Sequence, residues 1–270
     1  MLESESITVV ILAGGLGSRL REETEFRPKT LLPINETPIL SHIIEIYANQ
    51  GFKDFVICAG YLGSSIHEYF SKKGSKSNTK NEVNENSSVY TFRSPIYSNL
   101  VKVRVVNTGA DTLAGGRLFR VREYLTGNTF ACTYGDGVGN VDIQKLLAWH
   151  TKNNLLGTVT AVQPPSRFGI LEINEENLIT GFMEKPESFW VSGGFFLFQK
   201  EILNLMHENI DLEHTLLPKL ALAGDLNAYY HRGFWHPMDT QRDFETLNEI
   251  ASLEKTPPWF AGITRNTSDD

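Results

Sequence analysis

The chain reads as an α/β protein with a mixed, mostly parallel sheet flanked by helices and a smaller β-rich extension behind it. Two observations carry that expectation. Short apolar runs alternate with helical patterns through the first two thirds of the 270 residues, which implies crossover connections and parallel pairing. The early runs are unbroken, as in strands buried on both faces. A third observation, the glycine turn directly behind the first run, places a ligand site beyond the carboxyl end of that strand.

Ile7–Leu12 is the first strand, and it runs into Leu12-Ala13-Gly14-Gly15-Leu16-Gly17-Ser18-Arg19-Leu20. Pro38 then opens a helix with Ile39, Leu40, Ile43, Ile44 and Tyr47 at helical spacing. Asp54–Ala59 is the next strand, closed by Gly60, and Ser64–Phe70 suits a short helix. Lys102–Asn107 is a strand, and Ala114–Leu125 a helix with Leu118, Val121 and Leu125 on one face. Thr129–Tyr134 is a strand closed by Gly135. Asp142–Lys152 is a helix with Asp142 as its N-cap, and Thr158–Val162 is again a strand.

The later chain is richer in strands: Phe168–Ile173, Ile179–Glu184 and Gly193–Phe198. Helical stretches follow near Lys200–His207, Glu213–Ala223 and Asp239–Leu253. Residues 71–99 interrupt the pattern, because Lys72–Ser88 holds almost no apolar residue. That composition suits either a solvated insertion or a flap that orders on binding. Residues 1–260 are read as one domain, with its β-rich part at about 165–200, and 261–270 as a polar tail.

A net charge of −7 argues against a nucleic-acid surface, which needs a basic patch. Small phosphates need only a few local cations, so they stay open as ligands. No apolar run approaches the ~20 residues of a membrane span, and the acidic N-terminus lacks a signal-peptide profile. The expectation is a soluble cytoplasmic protein with no membrane partner. Cys58 and Cys132 lie in apolar strands and read as buried thiols rather than a disulfide or metal pair.

The glycine turn lets backbone N–H groups approach an anion. Arg19 and the basic Arg27-Pro28-Lys29 follow it, so the physical reading is a polyphosphate cradle. It is not a P-loop, since no Gly-Lys-Ser/Thr ending is present. Nor is it a dinucleotide fingerprint, because Leu20 stands at the third glycine. Asp136, within Tyr134-Gly135-Asp136-Gly137, is either an Asp-Gly turn or a metal ligand at a strand's end. Asp239, ahead of the last helical stretch, is either its N-cap or a second ligand. Lys185 before Pro186 is an exposed turn lysine or a phosphate anchor. Thr108–Arg117 is a small-residue loop able to lie against a flat base. Glu213 caps its helix or accepts from sugar hydroxyls.

Together these motifs resemble the sugar-1-phosphate nucleotidyltransferases. The likeness is carried by Leu12–Leu20 with Lys29, Glu22-Glu23-Thr24, Asn107-Thr108-Gly109 and Gly115-Gly116-Arg117-Leu118. It continues through Thr133–Gly137, Arg167-Phe168-Gly169, Glu184-Lys185-Pro186, Gly193-Gly194-Phe195-Phe196 and Gly233-Phe234-Trp235 with Pro237–Thr240. It spans nearly the whole chain. The resemblance implies a Rossmann-like nucleotidyltransferase fold and a homo-oligomer. It also implies Mg²⁺-dependent attack of a sugar 1-phosphate oxygen on the α-phosphorus of CTP. Arg19, Lys29 and Asp136 would be catalytic. Leu12, Ala13, Gly14, Gly15, Gly17, Ser18, Arg19, Asp111, Gly116 and Gly135 would hold the nucleotide. Lys185, Gly169, Ser192, Gly193 and Glu213 would hold the sugar phosphate, and Asp136 with Asp239 the Mg²⁺. The chain departs from the family pattern at Ser192, Thr215-Leu216 and His236, all toward the sugar side, which leaves another hexose 1-phosphate, or UTP or dTTP, as the alternative.

Overall fold

A computed structural model describes residues 4–15, 17–76, 85–96, 98–164, 169–184 and 189–262. Its main sheet has nine strands: β1 (Thr8–Ala13), β2 (Asp54–Ala59), β3 (Ser75–Lys76), β4 (Ser87–Arg93), β5 (Leu100–Asn107), β6 (Thr129–Tyr134), β7 (Gly157–Val162), β8 (Val191–Gln199) and β9 (Leu226–His231). Their order across the sheet is β9-β7-β8-β6-β1-β2-β5-β4-β3. β6, β1, β2 and β5 are mutually parallel, while β8 and β4 run against them. The sheet is therefore mixed and mostly parallel, as the apolar runs predict.

Period-two alternation sends each strand's side chains to opposite faces. Val9, Ile11 and Ala13 of β1 join a core with helices α1 (Ile39–Ala48), α2 (Gly63–Lys73), α4 (Ile143–Asn153) and α6 (Gln241–Leu253). Val10 and Leu12 join a second core with α3 (Ala114–Arg120), α5 (Leu217–Ala223) and the 200–216 segment. Burial on both faces explains why β1 is unbroken apolar sequence. α1 follows Pro38, its N-cap, and all ten of its residues are buried. Asp142 caps α4 by accepting from the Lys145 N–H. Cys58 and Cys132 are free and buried. They flank β1, opposite Leu12 and Val10, with a whole strand between them. Among the described residues no helix is long and apolar enough to cross a membrane.

Several elements differ from the sequence expectation. The expected helix to Leu125 stops at Arg120 and tightens into a 3-10 turn at Arg122–Tyr124. The 71–99 stretch is not simply an insertion. α2 continues into it to Lys73, and β4 lies within it, burying Val89, Tyr90 and Phe92 at the sheet's far end. Residues 77–84, its most polar part, lie outside the described residues. The later β-rich region is mostly not an extension, since β8 sits in the middle of the main sheet. Only the hairpin Gly169–Ile173/Ile179–Glu184 stands apart. β9 was not anticipated, because Leu226-Asn-Ala-Tyr-Tyr-His231 is partly exposed at an edge and carries no strong alternation.

Candidate active site

The chain passes from β1 outward through β2 and β5, then returns to β6 on the other side of β1. Strand order reverses there, and ligands bind at such a crevice beyond the carboxyl ends. Leu12-Ala13-Gly14-Gly15 leave β1 at that point, and Gly135-Asp136 leave β6 beside them. The Gly135 N–H donates to the Leu12 carbonyl at 3.0 Å.

The glycines in this turn have different reasons. A Cβ on Gly14 would overlap the Arg117 guanidinium, and Gly17 has φ +63°. A Cβ on Gly15 would meet nothing within 4 Å, although Gly15 lines the cavity. Among the described residues no packing requires that glycine, and without a side chain its backbone is bare at the cavity. Behind the turn, buried Arg117 donates to the carbonyls of Gly14 (2.9 Å), Gly109 (2.7 Å) and Ala110 (3.0 Å) and to the Thr108 hydroxyl (2.7 Å). One guanidinium thus ties the glycine turn to the 108–110 loop across the pocket. Burial pulls its pKa below the usual arginine value.

The acidic pair comes together through a ribbon. Trp235–Pro237 pairs antiparallel with Gly137–Gly139, and the Met238 N–H donates to the Asp136 carbonyl at 2.7 Å. Asp136 and Asp239 thereby face one point, and the Lys29 ammonium fills it. Lys29 Nζ is 2.7 Å from Asp136 Oδ2 and 2.7 Å from Asp239 Oδ1. Arg19 Nη1 lies 3.8 Å from Asp239 Oδ2. Lys29 is 14% exposed, and Arg19 is 77% exposed. Burial works to lower the Lys29 pKa, but the two carboxylates outweigh it and hold the group above its ordinary value, fully charged. Asp239 is not the helix cap: Thr240 caps α6 in a capping box with Asp243, which leaves the Asp239 carboxylate free for the cleft.

Two cavities meet here. One, of about 360 Å³, is lined by the glycine turn, Lys29, Thr112, Leu113, Arg117, Tyr134, Gly135 and Asp136. The other, of about 300 Å³, is lined by Ser192, Gly193, Gly194, Glu213, Trp235 and Asp239, and shares Tyr134 and Asp136 with the first. Tyr134 is the wall between them and donates to Glu213 Oε1 at 2.8 Å. Burial, then the Glu213 charge, push its phenol well above the usual range, so it stays a donor. Glu213 sits in a π-helical turn, Leu212–Leu216, and Asp211 rather than Glu213 caps it. Trp235 Nε1 donates to the Gly193 carbonyl at 2.8 Å and fixes the far wall.

Leu12, Ala13, Gly14, Gly15, Gly17, Lys29, Gly135, Asp136, Ser192, Gly193, Glu213 and Asp239 therefore converge. Gly116 does not face the cavity: a Cβ there would lie 2.1 Å from the Glu208 carbonyl oxygen, so it is a packing glycine. Asp111 is exposed on the outer loop. Gly169 pairs with Glu184 in the separate hairpin. Ser18 opens the 3-10 turn Ser18–Leu20 with Arg19. Lys185 lies outside the described residues. Arg117, Tyr134 and Trp235 were not singled out as site residues. The readable signal was an arginine and two aromatics embedded in glycine-rich motifs, where side chains are otherwise scarce.

A family model described as Nucleotidyl transferase matches residues 8–248. The chain is 40% identical over 256 residues to a glucose-1-phosphate cytidylyltransferase from Salmonella typhi, covering 92% of this chain and 97% of that one. It is 23% identical over 252 residues to a mannose-1-phosphate guanylyltransferase from Mycobacterium tuberculosis, covering 90% of this chain and 64% of that one. In three dimensions it is similar to the crystal structure of HddC from Yersinia pseudotuberculosis, with TM-score 0.67 and 21% identity over 92% of this chain and 100% of that one.

Proposed function

The chain belongs to the nucleotidyl transferase family, and from that premise we propose that it transfers CMP from CTP to α-D-glucose 1-phosphate, giving CDP-glucose and pyrophosphate. The 40% identity to a cytidylyltransferase, against 23% to a guanylyltransferase, supports that choice of base and sugar. The observation that carries the chemistry is the pair of cavities that meet at Asp136, with Lys29 and Asp239 at their junction. The glycine-turn cavity takes the nucleotide and the Glu213 cavity takes the sugar. The sugar phosphate and the α-phosphorus then face each other beside Asp136.

A sugar phosphate is an anionic nucleophile at neutral pH, so the reaction needs positioning and relief of charge repulsion more than a general base. Backbone N–H groups of Gly14, Gly15 and Gly17, with Arg19 and Lys29, hold the triphosphate. Tyr134 orients Glu213 toward the sugar hydroxyls. Ser192 and Gly193 line the same side, and Gly169 and Lys185 are assigned to the sugar phosphate on the family resemblance. Two carboxylates that share one cation 2.7 Å from each fit Mg²⁺, which takes one or two carboxylates and completes its shell with phosphate oxygens and water. Asp136 and Asp239 would hold it, and it supplies charge neutralisation to the crowded phosphates. The buried free thiols fit a reducing, cytoplasmic compartment. The Gly169–Glu184 hairpin leaves Leu171, Ile173, Ile179 and Phe182 exposed, which supports a homo-oligomer covering that face.

The test offers each nucleoside triphosphate with glucose 1-phosphate and Mg²⁺ and measures pyrophosphate. CTP is expected to give the highest rate. Turnover with UTP or dTTP and none with CTP would defeat the cytidylyl assignment.

A further inference from the structure

We infer that Lys29 is a built-in occupant of the dication site, so that the site opens to metal only when a polyphosphate draws the ammonium away. The inference rests on the assignment of Asp136 and Asp239 as metal ligands, and it adds a condition on when they are available.

The Lys29 ammonium sits 2.7 Å from an oxygen of each carboxylate, the place a dication held by both residues would need. Two cations cannot share that point. At such separations their repulsion, in a partly buried setting, is large compared with thermal energy. A divalent ion arriving alone must therefore displace an ammonium held between two carboxylates.

The backbone of Lys29 is fixed, and its side chain is long enough to reach more than one anion. It lies in a single 3-10 turn, Lys29–Leu31, after Pro28, and the next two residues, Thr30 and Leu31, are buried. The Leu32 N–H donates to the Lys29 carbonyl. Four rotatable carbons separate that anchor from the ammonium, and the same side chain lines the glycine-turn cavity. Rotation within that cavity carries the charge from the acidic pair to wherever phosphates lie, with no movement of the fold. Nucleotide and metal binding are then positively coupled, and the coupling is reciprocal. A protein that holds free dication in the absence of nucleotide would present the sugar phosphate with a second, unproductive docking point, and the lysine prevents that.

The experiment measures Mn²⁺ binding to the full-length protein without nucleotide, from the loss of the free Mn²⁺ paramagnetic signal. Lys29→Met and Lys29→Gln should each bind Mn²⁺ at least tenfold more tightly than the wild type. Lys29→Arg, which keeps a cation between the carboxylates, should stay near the wild-type value. Mg²⁺ should raise the melting temperature of Lys29→Met and Lys29→Gln while leaving that of the wild type unchanged. Should both neutral variants fail to fold, the Lys29 side-chain ¹⁵N resonance of the wild type decides the question. It should shift with CTP in chelator and stay fixed with Mg²⁺ alone. Equal Mn²⁺ affinity in wild type and neutral variants, or a Lys29 shift with Mg²⁺ alone, overturns the inference. Mn²⁺ that binds none of the proteins, with or without CTP, overturns the metal assignment along with it.

Discussion

At the scale of single residues, Asp136 and Asp239 are distinguished by where their carboxylates point. Both are partly exposed and both meet Lys29, while their backbones are fixed by the ribbon and by the start of α6. Replacing either with Asn removes a charge and leaves shape and packing in place. Asp136→Asn and Asp239→Asn should each lower turnover by about 10²–10³-fold, the scale of losing one electrostatic stabiliser of a transition state. Circular dichroism and melting should show both variants folded. Near-normal rates in both would remove the two aspartates from the chemistry. Asp136 was legible as a candidate in the sequence because a carboxylate flanked by glycines after a strand has room for a metal, although it reads equally as an Asp-Gly turn. Asp239 was ambiguous, since an acid before a helix reads equally as a cap. The ambiguity ends at Thr240, whose side chain accepts from the Asp243 N–H. Arg117 was illegible as a site residue, because its partners are carbonyls from three separate segments that only the folded chain assembles.

At the scale of elements, the sugar side depends on how β8 enters the sheet. Gly194 has φ +76°, and a Cβ there would lie 2.7 Å from the Tyr134 ring. Gly194→Ala therefore combines backbone strain of about 1 kcal/mol with a displaced tyrosine. The Tyr134–Glu213 bond should be lost. The expected result is a raised KM for the sugar phosphate and a smaller effect on the KM for CTP, read from steady-state kinetics. Equal rises in both would mean that the substitution merely loosens the fold. The parallel strands were readable because double-sided burial demands unbroken apolar runs. β4 was hidden because its buried residues, Val89, Tyr90 and Phe92, follow a polar stretch that dominated the composition of the region. β8 read as part of an extension because nothing local in a sequence says which sheet a strand joins.

At the scale of the whole molecule, two buried histidines tie stability to pH. His42 Nδ1 accepts from Trp259 Nε1 at 3.2 Å, and Nε2 lies 3.0 Å from the Ile34 carbonyl, which only the neutral ring satisfies. Burial lowers its pKa to about 4, against weaker opposing hydrogen bonds, and burial lowers that of His150 to about 4 as well. Both are depressed relative to the unfolded chain at about 6.5. Their stabilisation is thus present above pH ~6.5 and lost as pH falls toward 4. Each contributes on the order of 3 kcal/mol over that window. The melting temperature should fall steadily between pH 6.5 and 4.5, and His42→Gln should flatten part of the slope. A flat profile in the parent protein would contradict this account. The ribbon that joins Gly137–Gly139 to Trp235–Pro237 also has a consequence for synthesis on the ribosome. Every described strand of the main sheet has been translated before Asp239 emerges, so a nascent or truncated chain lacking its last 32 residues would carry the sheet but neither α6 nor the second acid, and prematurely terminated products would be inert toward nucleotide turnover.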